Sequence, residues 1–286
     1  MGGKPSLPYP PWRMMCRHLA YLGPPASLRS VLIDPPHGLY RQAWAPRRQR
    51  HGTVNADGFG VGWYAPDDPD PARYRRAVPI WGDESFADVA RVTSSGAVLA
   101  AVRCATTGTD PGIAAVAPYA SGRWLFSHNG VLDGWPAAAA GLAGTLPAGS
   151  LLGLEARVDS ALLWALVRHR LGFGLGAADA LADTVCAVRA AGVSGRFNFL
   201  LTDGRVIAAT AAGDTLCYRA SGDAVVVASE PGDDEPGWTE VPDGSVMTAT
   251  PQQVSVARLA APGNPARSAS PVSPDQNTED GRIAIR

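Results

Sequence analysis

Met14-Met15-Cys16-Arg17-His18-Leu19-Ala20-Tyr21-Leu22 is the stretch on which the fold turns. A Cys directly behind a Met can become residue one, because excision of an initiator Met needs a small side chain after it. Thiol and free α-amine then sit on the same residue. The amine titrates near ~8 and the thiol near ~8.5, so the amine can take the thiol proton at neutral pH without a catalytic histidine. With residues 1 to 14 and Met15 still attached, Cys16 carries an amide nitrogen and has no base of its own. The plain alternative is a small buried residue opening a strand over 16–22, which Gly23-Pro24-Pro25 would end.

Working outward, residues 1 to 14 contain Pro5, Pro8, Pro10 and Pro11, which prevent regular structure. They are expected to be a disordered leader or to precede the true start, and without an apolar h-region they do not form a signal peptide. Residues 15 to 260 are expected to form one domain, and 261 to 286, rich in Pro, Ser and polar residues, a disordered tail. A chain of 286 residues that is 46% hydrophobic can bury a substantial core. The net charge of −1 and the lack of a basic run argue against a nucleic-acid surface. Lys4 is the sole lysine, which excludes a phosphate-loop or Schiff-base lysine in the body of the chain. Cys16, Cys104, Cys186 and Cys217 are widely spaced, with no C-x-x-C pair and no zinc-type histidine spacing. That pattern suits reduced thiols in a cytoplasm, with no metal and no cofactor. No apolar run approaches the ~20 residues of a spanning helix, so no membrane partner is expected.

A piece over 26–33, helical or extended, leads to a loop at Asp34-Pro35-Pro36-His37-Gly38. The basic segment 44–54, with Arg47, Arg48, Arg50 and His51, is expected to be a solvated loop or a lid. Asn55-Ala56-Asp57-Gly58-Phe59-Gly60-Val61-Gly62-Trp63-Tyr64 is a turn feeding a strand. Its glycines mimic a dinucleotide fingerprint, but no helix follows. Further strands are expected at 74–81, at the apolar run 96–103 and at 124–128, the last turned by Asn129-Gly130. A helix is compatible with 85–94, and two helices are expected over 159–171 and 177–191. Short alternating runs at 197–202, 206–210, 216–219, 224–228, 245–249 and 255–259 are antiparallel strands. The order of strands, central helices and strands again fits two antiparallel sheets with helices packed against them.

Four features could carry chemistry. Besides Cys16 there is Arg103-Cys104-Ala105-Thr106-Thr107-Gly108, where a strand end presents an Arg either as a fork for a carboxylate or as a rim salt bridge. Next comes Phe126-Ser127-His128-Asn129-Gly130-Val131. Asn-Gly there is an ordinary turn, or a side-chain NH2 and a backbone N–H that converge on one oxyanion. His128 is more simply a packed histidine than a base. Last is Asp159 at a helix start, where a cap or dipole role suffices.

As an ordered set, Met15-Cys16-Arg17-His18-Leu19, residues 55–64, residues 103–108, His128-Asn129-Gly130-Val131 and Asp159 resemble the class II (N-terminal nucleophile) glutamine amidotransferase family from Met15 to Leu259. The resemblance implies an α/β/β/α sandwich and an amidohydrolase acting on a small γ-glutamyl substrate. In it Cys16 attacks, Asn129 and Gly130 hold the oxyanion, Arg103 the glutamyl α-carboxylate and Asp159 its α-ammonium, with Thr106 also in the substrate site. Within the family the likeness points to hydrolases whose leaving amine bears a trimethylated ammonium. Trp44, Trp63, Tyr64 and Trp81 are then candidates for cation–π contact. Two departures stand out. The extension before Cys16 requires initiation at Met15 or removal of the leader, and Thr107 stands where ammonia-channelling relatives often carry His. Two alternatives remain: a glutaminase subunit feeding ammonia to a separate synthase, and a non-catalytic sandwich that binds amino-acid derivatives.

Overall fold

The structure, a computed structural model, describes residues 16–50, 54–105 and 109–260. The expected leader and tail, together with His51 and Thr106, lie outside the described residues. In chain order the strands are β1 (Arg17–Ser27), β2 (Phe59–Trp63), β3 (Ala72–Arg76), β4 (Ser94–Val102), β5 (Tyr119–Ser121), β6 (Trp124–Leu132) and β7 (Gly195–Thr202). They continue as β8 (Ile207–Ala211), β9 (Cys217–Ala220), β10 (Val225–Ala228), β11 (Thr239–Glu240), β12 (Ser245–Ala249) and β13 (Val254–Arg258). Seven form one sheet in the order β11-β9-β10-β1-β4-β2-β3, and six form a second in the order β13-β12-β8-β7-β6-β5. Every pairing recorded is antiparallel.

Strand alternation builds the layers. On β1, Ala20 and Leu22 point into the space between the sheets, where they meet Leu99, Leu125, Leu200, Ile207 and Met247. Leu19 and Tyr21 point the other way, onto Leu28 and Leu32 of helix α1 (Leu28–Leu32) and Phe86 of α3 (Phe86–Val92), with α2 (Leu39–Gln42) on the same face. The short helices α4 (Ala140–Ala143) and α5 (Ala148–Leu152) precede α6 (Asp159–Gly172) and α7 (Ala177–Ala190), which cover the second sheet. The result is helices, sheet, sheet, helices. Ala161 to Val167 of α6 are buried without a break, more than a one-faced stripe predicts, because α7, α5 and the sheet enclose the helix together. Among the described residues no helix is long and apolar enough to cross a membrane.

Several expectations from sequence need correction. Gly23-Pro24-Pro25 does not end β1, which runs on to Ser27 with a register shift between Leu22 and Ala26 that absorbs the prolines. The stretch 74–81 gives only β3, followed by a single 3-10 turn at Ile80–Gly82. Asn129-Gly130 is not a turn: both residues lie inside β6, opposite Asn198 and Phe197 of β7. Only glycine fits there, since a Cβ on Gly130 would stand 1.9 Å from the Arg196 carbonyl oxygen.

Candidate active site

Register brings the chemistry to one end of the sandwich. Arg17 pairs with Val102, so Cys16 and Arg103 leave their strands side by side. From the second sheet, β6 delivers His128, Asn129 and Gly130 to the same end, and the start of α6 delivers Asp159 and Ser160. A cleft lined by Cys16, Arg103, Val116, Tyr119, His128 and Ser160 opens there. Cys16 is part-exposed. Burial pushes its thiol up, and the Asp159 charge adds to the shift, while the Cys104 backbone, Arg103 and Arg17 oppose it.

The glycines of 55–64 find their explanation here. A Cβ on Gly58 would meet Val116 Cγ2 at 2.7 Å, and one on Gly60 would meet the Ala117 carbonyl at 2.2 Å. They are absent side chains that let the cleft wall lie flat on β2, and they cradle no phosphate. Asp57 fixes the neighbouring turn: its N–H donates to the Arg103 carbonyl at 3.0 Å, and its carboxylate accepts the Ala105 N–H at 2.8 Å.

Arg103 is anchored on one side and open on the other. Its Nη2 donates to Thr109 Oγ1 at 3.2 Å and to the Asp110 carbonyl at 2.9 Å. Nη1 is buried and has no partner among the described residues. A guanidinium held by one arm suits a carboxylate brought by a ligand. Asp159 has a structural role in hand: its carboxylate accepts the Leu132 N–H at 2.9 Å and the Ser160 N–H at 2.8 Å. Its field still reaches Cys16 and His128.

His128 is not poised as a base. Its Nε2 lies 2.9 Å from the Arg196 carbonyl, which can only accept, so Nε2 carries the proton. Nδ1 therefore accepts from the Ser160 hydroxyl at 2.9 Å. Both nitrogens are occupied, and burial pushes the pKa down. His18 is also buried, with Nδ1 3.2 Å from Ser127 Oγ and its pKa pushed down to about 3 by burial, with His128 and Arg17 adding. His128 has neither ring nitrogen free for the thiol, and burial makes both imidazoles weaker bases than a free histidine.

Beneath the cleft lies a buried polar network that sequence reasoning missed. Arg196 pairs with Asp214 at 3.0 Å, and Arg17 stands 3.9 Å from Glu230. Glu230 accepts the backbone N–H groups of Arg47 at 2.9 Å and Arg48 at 2.6 Å, so the basic loop is strapped down at that point. Ser229 contacts both His18 and Asn129. The aromatic candidates are dispersed. Trp63 lies opposite Val98, four residues along β4 from the Val102 end. The Tyr64 hydroxyl donates toward the Arg123 and Thr202 carbonyls. Trp44 and Trp81 pack edge to face at 5.5 Å, with Arg41 already 5.3 Å from the Trp44 ring.

Two facing antiparallel sheets, helices outside both, and a cysteine that opens a central strand at the mouth of the sandwich define the architecture of N-terminal-nucleophile hydrolases. The family model for class-II glutamine amidotransferases matches residues 39–221. The chain is 44% identical over 245 residues to the gamma-glutamyl-hercynylcysteine sulfoxide hydrolase of Mycobacterium tuberculosis (strain CDC 1551 / Oshkosh), spanning 86% of this chain and 97% of that protein. It is 45% identical over 247 residues to the protein of that name from Mycolicibacterium smegmatis, spanning 86% of this chain and 100% of the relative. A glutamine aminotransferase class-II domain protein from Silicibacter pomeroyi superposes with a TM-score of 0.62 at 24% identity, over 86% of this chain and 100% of its own. The glutamine phosphoribosylpyrophosphate amidotransferase of B. subtilis also gives 0.62, at 17% identity, over 86% of this chain and 49% of its own. The chain belongs to the class II glutamine amidotransferase family, enzymes that act on amide bonds.

Proposed function

We propose that this enzyme hydrolyses γ-glutamyl-hercynylcysteine sulfoxide to hercynylcysteine sulfoxide and glutamate, a step of ergothioneine biosynthesis. The observation that carries the substrate is the match to the two mycobacterial hydrolases over nearly their whole length. In this reading the active protein begins at Cys16, by initiation at Met15 or by removal of residues 1–15. The engaged ring nitrogens of His128 and the weakened basicity of both buried histidines support that requirement: the thiol proton needs an acceptor, and this reading assigns that part to the α-amine of Cys16.

The α-amine of Cys16 takes the thiol proton, and the thiolate so formed attacks the γ-carbonyl carbon. Asn129 Nδ2 and the Gly130 N–H hold the oxyanion, Arg103 Nη1 the α-carboxylate, and Asp159 with the neighbouring Ser160 hydroxyl the α-ammonium. Collapse breaks the C–N bond, and the leaving amine departs with the proton. Water then attacks the thioester, and glutamate leaves as the thiol is restored. The free thiols of Cys16, Cys104, Cys186 and Cys217 fit a reducing compartment, and we place the reaction in the cytoplasm.

Glutamate release from γ-glutamyl-hercynylcysteine sulfoxide and from glutamine, measured side by side, tests the substrate. A strong preference for the sulfoxide is expected. Turnover of glutamine alone, rising on addition of a synthase, would overturn the proposal. Intact mass of the active protein from its native host should show Cys16 as residue one, and an active enzyme that retains the leader would refute the base assignment.

A further inference from the structure

Cys16 and Asn129 come from different sheets, and no strand ladder relates one to the other. Ser229, the residue after β10, does. It is fully buried. Its Oγ accepts the His18 N–H at 3.0 Å, donates to the His18 carbonyl at 3.3 Å, and lies 3.3 Å from Asn129 Nδ2. A hydroxyl has one proton and two lone pairs. The His18 N–H takes one lone pair, and the hydroxyl proton is directed at the His18 carbonyl, which also accepts the Ser229 N–H at 3.0 Å. In that arrangement the site left for Asn129 is a lone pair, which suits the NH2 end of its amide. Asn129 Oδ1 is buried without a partner among the described residues, so none of them holds the amide in its present sense from that end.

We propose that Ser229 is a positioning residue of the reaction, setting which way round the Asn129 amide stands. One Nδ2 hydrogen is bound to Ser229, and the second is held for the oxyanion that forms at the Cys16 adduct. If the amide turned over, a carbonyl oxygen would face the developing negative charge. Because Ser229 grips both backbone groups of His18, two residues after the nucleophile, it also ties that donor to the strand that carries the thiol. The inference rests on the assignment of Asn129 to the oxyanion.

The test is a double-mutant cycle on purified active enzyme. Ser229→Ala is expected to lower kcat by about tenfold or more with KM within about twofold, since the bond serves a group that acts in the transition state. In an Asn129→Ala background the same change should cost less than about twofold further, because the group it orients is gone. Ser229→Cys, which keeps the volume but hydrogen-bonds weakly, gives the same readout if the alanine variant does not fold. A wild-type kcat in a folded Ser229 variant, or losses that multiply fully with Asn129→Ala, would overturn the proposal. A wild-type enzyme that releases no glutamate from any γ-glutamyl amide would instead refute the function proposed above.

Discussion

The space between the two sheets has a dry half and a wet half. Away from Cys16 it is filled by Leu22, Leu99, Leu125, Leu200, Ile207 and Met247, all apolar and closely buried. Toward Cys16 the same layer holds His18, Ser127, Asn129, Asn198 and Ser229, with the Arg196–Asp214 pair beside them. The two halves share strands, so sheet formation alone does not decide their character. Two asparagines opposite each other in register sharpen the contrast. Asn198 has both ends of its amide engaged: Nδ2 donates to the Asp214 and Thr215 carbonyls, and Oδ1 accepts the N–H groups of Ala212 and Asp214. Among the described residues Asn129 has one side-chain bond, to Ser229, and a buried oxygen with none. An amide with four partners supports the fold. An amide with unmet capacity at the cleft has something left for a ligand.

The largest effect belongs to Cys16→Ala, which removes the proposed nucleophile. Glutamate release should vanish while thermal unfolding stays within a few degrees of wild type, and residual turnover near wild type would remove Cys16 from the mechanism. The asparagine pair comes next. Asn129→Ala should lose about 10²–10³ in kcat, the cost of one oxyanion donor, with little change in denaturant midpoint. Asn198→Ala should do the reverse, losing about 1–3 kcal/mol of stability for each buried group left unpaired while the folded fraction keeps its kcat within severalfold. Steady-state kinetics and urea titration of both variants decide it. Equal effects on activity and stability would erase the distinction between them.

The wet half should also make the protein acid-labile. His18 titrates near about 3 in the folded state against 6.5 as a free side chain, and burial lowers His128 as well. Between those limits the unfolded chain binds protons that the native state refuses, so stability is full above about pH 6.5 and falls as pH drops toward 3. For His18 the slope across that window is about 1.4 kcal/mol per pH unit, and His128 acts in the same direction. Melting temperature from pH 7 to pH 4.5 should fall steadily, and His18→Phe should flatten part of the curve. A profile unchanged by that substitution would show that His18 is not held neutral.

Period-two patterning made much of the fold legible: 245–249 buries every second residue, and 197–202, covered on both faces by the other sheet and the helices, still reads as a strand from its aromatic and branched residues. Tyr119–Ser121 and Thr239–Glu240 escaped because two or three residues carry no period. Asn129-Gly130 misled for a physical reason: the dipeptide favours turns in isolation, and only the approach of the Arg196 carbonyl reveals why glycine is needed within a strand. Cys16, Arg103 and Asn129 were visible because each is chemically unusual where it stands. Ser229 was not. A serine after a strand looks like any loop residue, and its partner His18 is 211 positions away in sequence. Polar networks of that kind depend on tertiary register, which composition does not record.

The smallest effect tests whether the dry half insulates the wet one. Ile207 is fully buried on β8, opposite Thr202 of β7, among the apolar side chains between the sheets. Ile207→Val deletes one methylene there and should cost about 0.5–1.5 kcal/mol of stability, as such truncations do in packed cores. It touches no polar group of the cleft, so kcat and KM should match wild type, and the acid slope should keep its steepness while the whole curve shifts down. Close packing transmits strain, however, and a methyl-sized void could relax along β7 toward Asn198. A measurable loss of kcat in Ile207→Val would mean that the two halves are mechanically coupled and that the apolar layer sets the position of the oxyanion donors. An unchanged kcat with a lowered melting temperature would confine that layer's role to stability.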